Sequence, residues 1–142
     1  MASLYDSVKA LLPTSVTLVG TTVNPKVYDT RVHEKPGREY FVLNVRVPDV
    51  SERSEAATRL AHEVRVWVTS VSRSGTITRL MAELVESALD QAVVTADGWG
   101  ACRLLLDNTR GPDDDPDVTF TDGTVAVWCL SEFLTTASRT TP

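Results

Sequence analysis

The sequence predicts an α+β domain: a mainly antiparallel β-sheet with one long helix packed across a face and a short N-terminal helix. Three observations predict it. Apolar residues at 3-4-3-4 spacing occur in one sustained run, Ile77, Leu80, Met81, Leu84, Val85, Ala88 and Leu89. Strict apolar and polar alternation lies on both sides of that run, at 39–47, at 62–71 and at 124–133. The chain has 142 residues, 42% hydrophobic and 23% charged, which is the size and composition of one soluble domain with a single core.

The elements follow in order. Leu4, Val8, Leu11 and Leu12 share one face of a short helix, with Ser3 as N-cap and Pro13 as its end. Residues 13–25, rich in Thr, Gly and Pro, read as a loop holding a short strand at Val16–Val19. Lys26–Val32 and Glu39–Val47 alternate and are separated by a turn at Glu34–Arg38, so they are expected to pair as a hairpin. Residues 48–60 are polar and punctuated, an expected long exposed loop. His62–Val71 is a third strand, with Val64, Val66 and Val68 on one face and Glu63, Arg65 and Trp67 on the other. The helix is expected over about 75–90, capped by Ser74. A turn at Asp97, Gly98 and Gly100, a strand at Ala101–Asp107, an acidic loop at 108–117 and a last strand at Thr124–Phe133 complete the domain, placed at 1–134. Residues 135–142 are expected to be a polar, mobile tail. No internal repeat is visible.

Charge and composition exclude several functions. Fourteen basic and 19 acidic side chains give a net charge of −5, the wrong sign for a protein that coats duplex nucleic acid. The excess is uneven: residues 1–60 hold 8 basic and 7 acidic groups, and residues 61–142 hold 6 and 12. Such polarity suits ordered assembly against a partner or a copy of the same chain, and serves solubility as well. No apolar run approaches the roughly 20 residues of a membrane-spanning helix. The first residues lack the basic and apolar regions of a secretory signal, so a cytoplasmic site of synthesis and no membrane association are expected.

Catalytic signatures are missing. There is no phosphate loop, no nucleophile elbow, no Cys-x-x-Cys and no His-Glu-x-x-His, so no enzyme activity and no cofactor are expected. Gly98-Trp99-Gly100 lacks the flanking strand and helix of a dinucleotide fingerprint and reads as a turn. Cys102 and Cys129 alternate with apolar residues and read as buried thiols. His33 and His62 stand alone, as surface or hydrogen-bonded residues do. The run Asp113-Asp114-Asp115-Pro116-Asp117 has three readings: a cation-binding loop, a solvated loop, or an electrostatic contact with a basic neighbour. Val118 and Thr124 stand where a calcium loop needs Gly and Glu, so no specific metal site is assigned. Trp67 and Trp128 fall on the sheet face opposite the valines, either as core under a second cover or as an interface.

The order Ser3-Leu4-Tyr5-Asp6, then Pro25-Lys26-Val27-Tyr28-Asp29-Thr30-Arg31-Val32, then Tyr40-Phe41-Val42-Leu43 resembles the tail terminator proteins of long-tailed bacteriophages. The passage from Glu63–Thr69 through Ser72 and Ser74 into Arg79–Leu89, and a closing strand Val125–Leu130, extend the resemblance over about residues 3–133. It implies a structural virion protein of the tail or neck, assembled in the host cytoplasm. Such a protein forms a ring, commonly of six subunits, that caps the tail tube, stops its polymerisation, and joins it to a head-side connector, with DNA passing through the lumen unbound. Partners are then the chain itself, the tube protein and the connector. Within that reading the candidate contacts are Arg65, Trp67 and Trp128 on the sheet, Arg53 and Arg59 in the polar loop, and Asp113, Asp114, Asp115 and Asp117. The alternatives are another neck or minor tail component, or, in a different class, a metal-dependent enzyme using the acidic run.

Overall fold

The long helix forms where its spacing places it, and its position organises the sheet. A computed structural model of the chain describes residues 3–18, 20–32, 34–53 and 59–138, with the backbone alone described at 18, 21, 47–53 and 59–61. In chain order the elements are α1 (Leu4–Lys9), β1 (Val16–Leu18), β2 (Thr21–Val23), β3 (Lys26–Asp29), β4 (Tyr40–Arg53), β5 (Arg59–Ser72), α2 (Gly75–Leu89), β6 (Val93–Ala96), β7 (Trp99–Arg103), β8 (Leu105–Thr119) and β9 (Val125–Ser138). Five strands make one sheet in the order β3-β4-β5-β9-β8, and β1–β2 and β6–β7 are separate hairpins. The fold is α+β and mainly antiparallel.

Both helices begin on the residues the sequence marks. Ser3 accepts a hydrogen bond from the Asp6 N–H at 3.0 Å, and Ser74 accepts one from the Ile77 N–H at 3.5 Å. Each cap satisfies a backbone donor that the first helical turn leaves unpaired. From α2, Met81, Val85 and Leu89 are fully buried against Phe41, Leu43, Val64, Val66, Val68 and Phe133 of the sheet. Leu4 and Val8 of α1, with Val94, Cys102 and Leu104, complete this main core on the same side. At the top of α2 the Thr78 hydroxyl donates to the Val127 carbonyl at 3.0 Å and lies 2.6 Å from the Ser72 hydroxyl, so these two buried hydroxyls are paired.

The opposite face of the sheet carries a smaller core of Tyr28, Tyr40, Val71, Phe120 and Ala126, with Val32, Val42, Val118 and Trp128 packed around it. Arg73 ties down its cover. The guanidinium lies 4.4 Å from the Phe120 ring centroid and donates to Asp122 Oδ2 at 2.7 Å, Glu39 Oε1 at 3.1 Å and the Gly37 carbonyl at 2.8 Å. Arginine suits this position because one planar group can stack and donate in several directions at once.

The structure departs from the sequence expectations in several places, β2 among them, since Thr21–Val23, expected as loop, pairs with β1. β3 and β4 are parallel and do not form a hairpin, with Lys26 opposite Tyr40 and Asp29 opposite Leu43. Thr30 at φ 68° ends β3 early, and in the crossing segment that leads to β4, Val32 packs on the second core and the Pro36 carbonyl accepts from the Thr121 N–H at 2.9 Å. The expected loop 48–60 is largely strand, since β4 and β5 continue their ladder to Arg53 opposite Arg59; its residues 54–58 lie outside those described. The strand expected at Ala101–Asp107 is divided between β7 and β8, and β6, absent from the sequence reading, pairs with β7.

The acidic segment is an edge strand. β8 runs through Asp113–Asp117 along β9, with bulges between Arg110 and Asp113 and between Asp115 and Thr119. Asp and Pro are poor strand formers, yet an outer strand with one paired side tolerates both. Gly111 permits the first bulge: at φ +93° its backbone comes so near that a Cβ would stand 2.5 Å from the Trp128 carbonyl oxygen. Finally, β9 does not end at Phe133. Thr135–Ser138 pair with Val64–Ala61, and Ala137 is buried, so the expected tail begins inside the sheet; residues 139–142 lie outside those described.

Candidate interaction surface

Among the described side chains, α1, α2 and the β6–β7 hairpin cover one face of the sheet, and a smaller core covers part of the other. Strand alternation decides which candidates meet there. On β5, Val64, Val66 and Val68 point into the main core, and Arg65, Trp67 and Thr69 point away from it. On β9, Ala126, Trp128 and Leu130 share that outer side. Antiparallel partners lie on the same side, so Asp113, opposite Trp128, and Asp115, opposite Ala126, join them from β8.

Five of the nine candidate residues therefore come together on one face: Arg65, Trp67, Trp128, Asp113 and Asp115. Asp114, opposite Val127, goes to the helix side. Asp117 lies farther along β8, beside Val32, Glu34, Lys35 and Pro36 of the crossing segment. Its N–H donates to Asp115 Oδ1 at 3.2 Å. Arg53 and Arg59 are opposite each other in the β4–β5 ladder, beyond the last rung that β5 shares with β9, Ala61 opposite Ser138.

Two Trp environments differ on this face. Trp67 has the Arg46 guanidinium 5.6 Å from its ring, while Arg65 pairs with Glu63 two residues away on its own strand. Trp128 borders a cavity of about 200 Å³ lined by Tyr40, Val42, Thr69, Val71, Asp115, Val118, Ala126 and Trp128 itself. Burial, with the Tyr28 hydroxyl and the Asp115 carboxylate nearby, pushes the Tyr40 phenol above its ordinary value, so it stays a neutral donor. Sequence reading missed Arg46, Tyr40 and Thr69. The signal was present for the β4 pair, since Tyr40, Val42, Asn44 and Arg46 are the outward phase of that strand, but only the pairing shows which neighbours they meet.

Elsewhere the chemistry is restrained. Cys102 and Cys129 are buried, and burial raises both thiols, which holds them protonated at neutral pH. Glu34 is held below the usual carboxylate range by Lys26, 2.6 Å away, and by the Tyr28 hydroxyl at 2.8 Å, an arrangement that fastens the crossing segment to β3. His62 lies edge-on to Trp99 with ring centroids 5.3 Å apart; His33 is outside the described residues. The acidic run is strand and not loop, with Asp113 and Asp115 on one side of the sheet and Asp114 on the other. Among the described residues no group of three or more His, Cys, Asp or Glu is placed to hold a metal ion, and no helix is long and apolar enough to cross a membrane. In comparisons with family models, with curated proteins and with solved structures, nothing matches the chain.

Proposed function

We propose that the chain is a ring-forming structural subunit of a bacteriophage tail, capping the tail tube and joining it to a head-side connector. The observation that supports this reading best is a sheet finished on one face only. Beside the Tyr40 and Phe120 core, the outer face leaves Arg46 exposed and Asn44, Arg65, Trp67, Leu130, Glu132 and Leu134 half-buried. Among the described residues the outer edge of β8, at the end of the sheet, has no strand partner. A mixed aromatic and charged face beside an open strand edge is the chemistry of a protein interface. A subunit with two different such surfaces joins its copies head to tail, and such contacts close into rings when the rotation permits. The net charge of −5 suits a lumen through which DNA passes without being held.

Light scattering after size exclusion gives the mass directly. A discrete closed oligomer, about six subunits in mass, that binds the ends of purified tail tubes in micrographs supports the reading. A protein that stays monomeric at high concentration and leaves tube ends bare overturns it.

A further inference from the structure

The cavity beside Trp128 has the make-up of a receptor for a cation. Two aromatic side chains, Tyr40 and Trp128, and the aliphatic groups of Val42, Val71, Val118 and Ala126 form its walls. Asp115 supplies a carboxylate and Thr69 a hydroxyl, and no lysine or arginine is among the lining residues. Asp113 adds a second carboxylate from the rung opposite Trp128. On the same face the chain already sets an arginine on its other tryptophan, Arg46 on Trp67. A guanidinium fits such a site better than an ammonium, because it stacks on rings and donates to two carboxylate oxygens in its plane.

The chain also holds a fitting donor. Eleven of its 14 basic residues are arginine. Two of them, Arg53 and Arg59, stand at opposite rungs of the ladder. Their rung lies beyond the part of β5 that β9 pairs, so the sequence gathers two arginines at one end of the ladder, a basic end that complements an acidic surface. The same ladder cannot serve its own cavity by pairing: Asp113 and Asp115 belong to the far edge strand, with β9 between.

We propose that the Trp128 cavity, with Asp113 and Asp115, receives an arginine from the Arg53 and Arg59 end of a second copy of the chain. The contact is heterologous, joining two different surfaces, and so propagates around a ring. It rests on the ring reading above, and names the residues that make one of its interfaces.

Charge reversal tests it. D113R/D115R and R53D/R59D change edge-strand and ladder-end positions, and circular dichroism first establishes that each folds. Each variant alone is expected to lose the oligomer, with association weakened about tenfold or more, as for a desolvated ion pair broken on one side. Mixed together, they complement each other at both contacts: the arginines of D113R/D115R face the unchanged cavity of R53D/R59D, and the new aspartates of R53D/R59D face the new arginines of D113R/D115R. The mixture is therefore expected to recover an oligomer that holds the two variants in equal numbers, read by sedimentation velocity. A chain carrying all four reversals is expected to recover the oligomer. If the wild type forms a ring and both variants form it equally well, the contact is overturned and the ring reading stands. If the wild type is monomeric at every concentration, both fall.

Discussion

Gly111 shows how one residue lets an acidic edge strand close onto the sheet. Its φ of +93° and the 2.5 Å from a built Cβ to the Trp128 carbonyl leave no room for a side chain without moving β8. Gly111→Ala is expected to cost about 1–3 kcal/mol in denaturant unfolding, the range for left-handed strain and displaced backbone. Glu86 gives a prediction in pH. Burial raises its carboxyl above the ordinary value, the Ser131 hydroxyl at 3.3 Å opposes this, and the nearby Glu83 and Asp90 add to the rise. A raised carboxyl binds its proton more tightly folded than unfolded, so its charge lowers stability at neutral pH and this penalty fades as pH falls through the folded pKa. Glu86→Gln is expected to raise the melting temperature at pH 7, with the gain shrinking to nothing in acid; an equal gain at all pH values would contradict the assignment.

At the scale of elements, the last strand carries more of the fold than its composition suggests. Thr135–Ser138 pair with β5 and bury Ala137, so ending the chain at Leu134 removes four rungs and a core side chain. That truncation is expected to lower the denaturation midpoint clearly. A truncated protein as stable as the full chain would mean that these rungs contribute nothing. Helix α2 is the other anchor: Leu89 is fully buried in the main core, and Leu89→Ala is expected to cost about 2–5 kcal/mol by chemical denaturation, for the lost burial and the cavity left behind. Both helices and three of the outer strand alternations were legible in the sequence, because local periodicity reports which side of an element is apolar. The parallel pairing of β3 with β4 was not legible. A turn rich in Pro and Gly is chemically similar whether the chain doubles back beside itself or crosses a sheet face to enter in the same direction.

At the scale of the molecule, an acidic strand at one edge and arginines at the end of the β4–β5 ladder give the chain a polarity that no single element has. If copies associate through that polarity, raising salt from 0.1 M to 1 M shortens the screening length from about 10 Å to about 3 Å, and assembly is expected to weaken in step. Light scattering across a salt series measures this, and assembly that strengthens with salt would instead point to an apolar interface.

By itself the sequence determined the class of the domain, the place of α2 and its cap, the burial of both cysteines, and the outward phase of Arg65, Trp67 and Trp128. Each of these follows from neighbours three or four positions away in a helix, or two in a strand. Only the tertiary structure decided that Asp113 and Asp115 stand beside Trp128, that Arg46 rests on Trp67, and that the polar stretches at 48–53 and 108–117 are strands. Those outcomes depend on which distant backbone offers its unpaired hydrogen bonds, a long-range matter that local composition does not record and, for Asp, Gly and Pro on an edge strand, opposes.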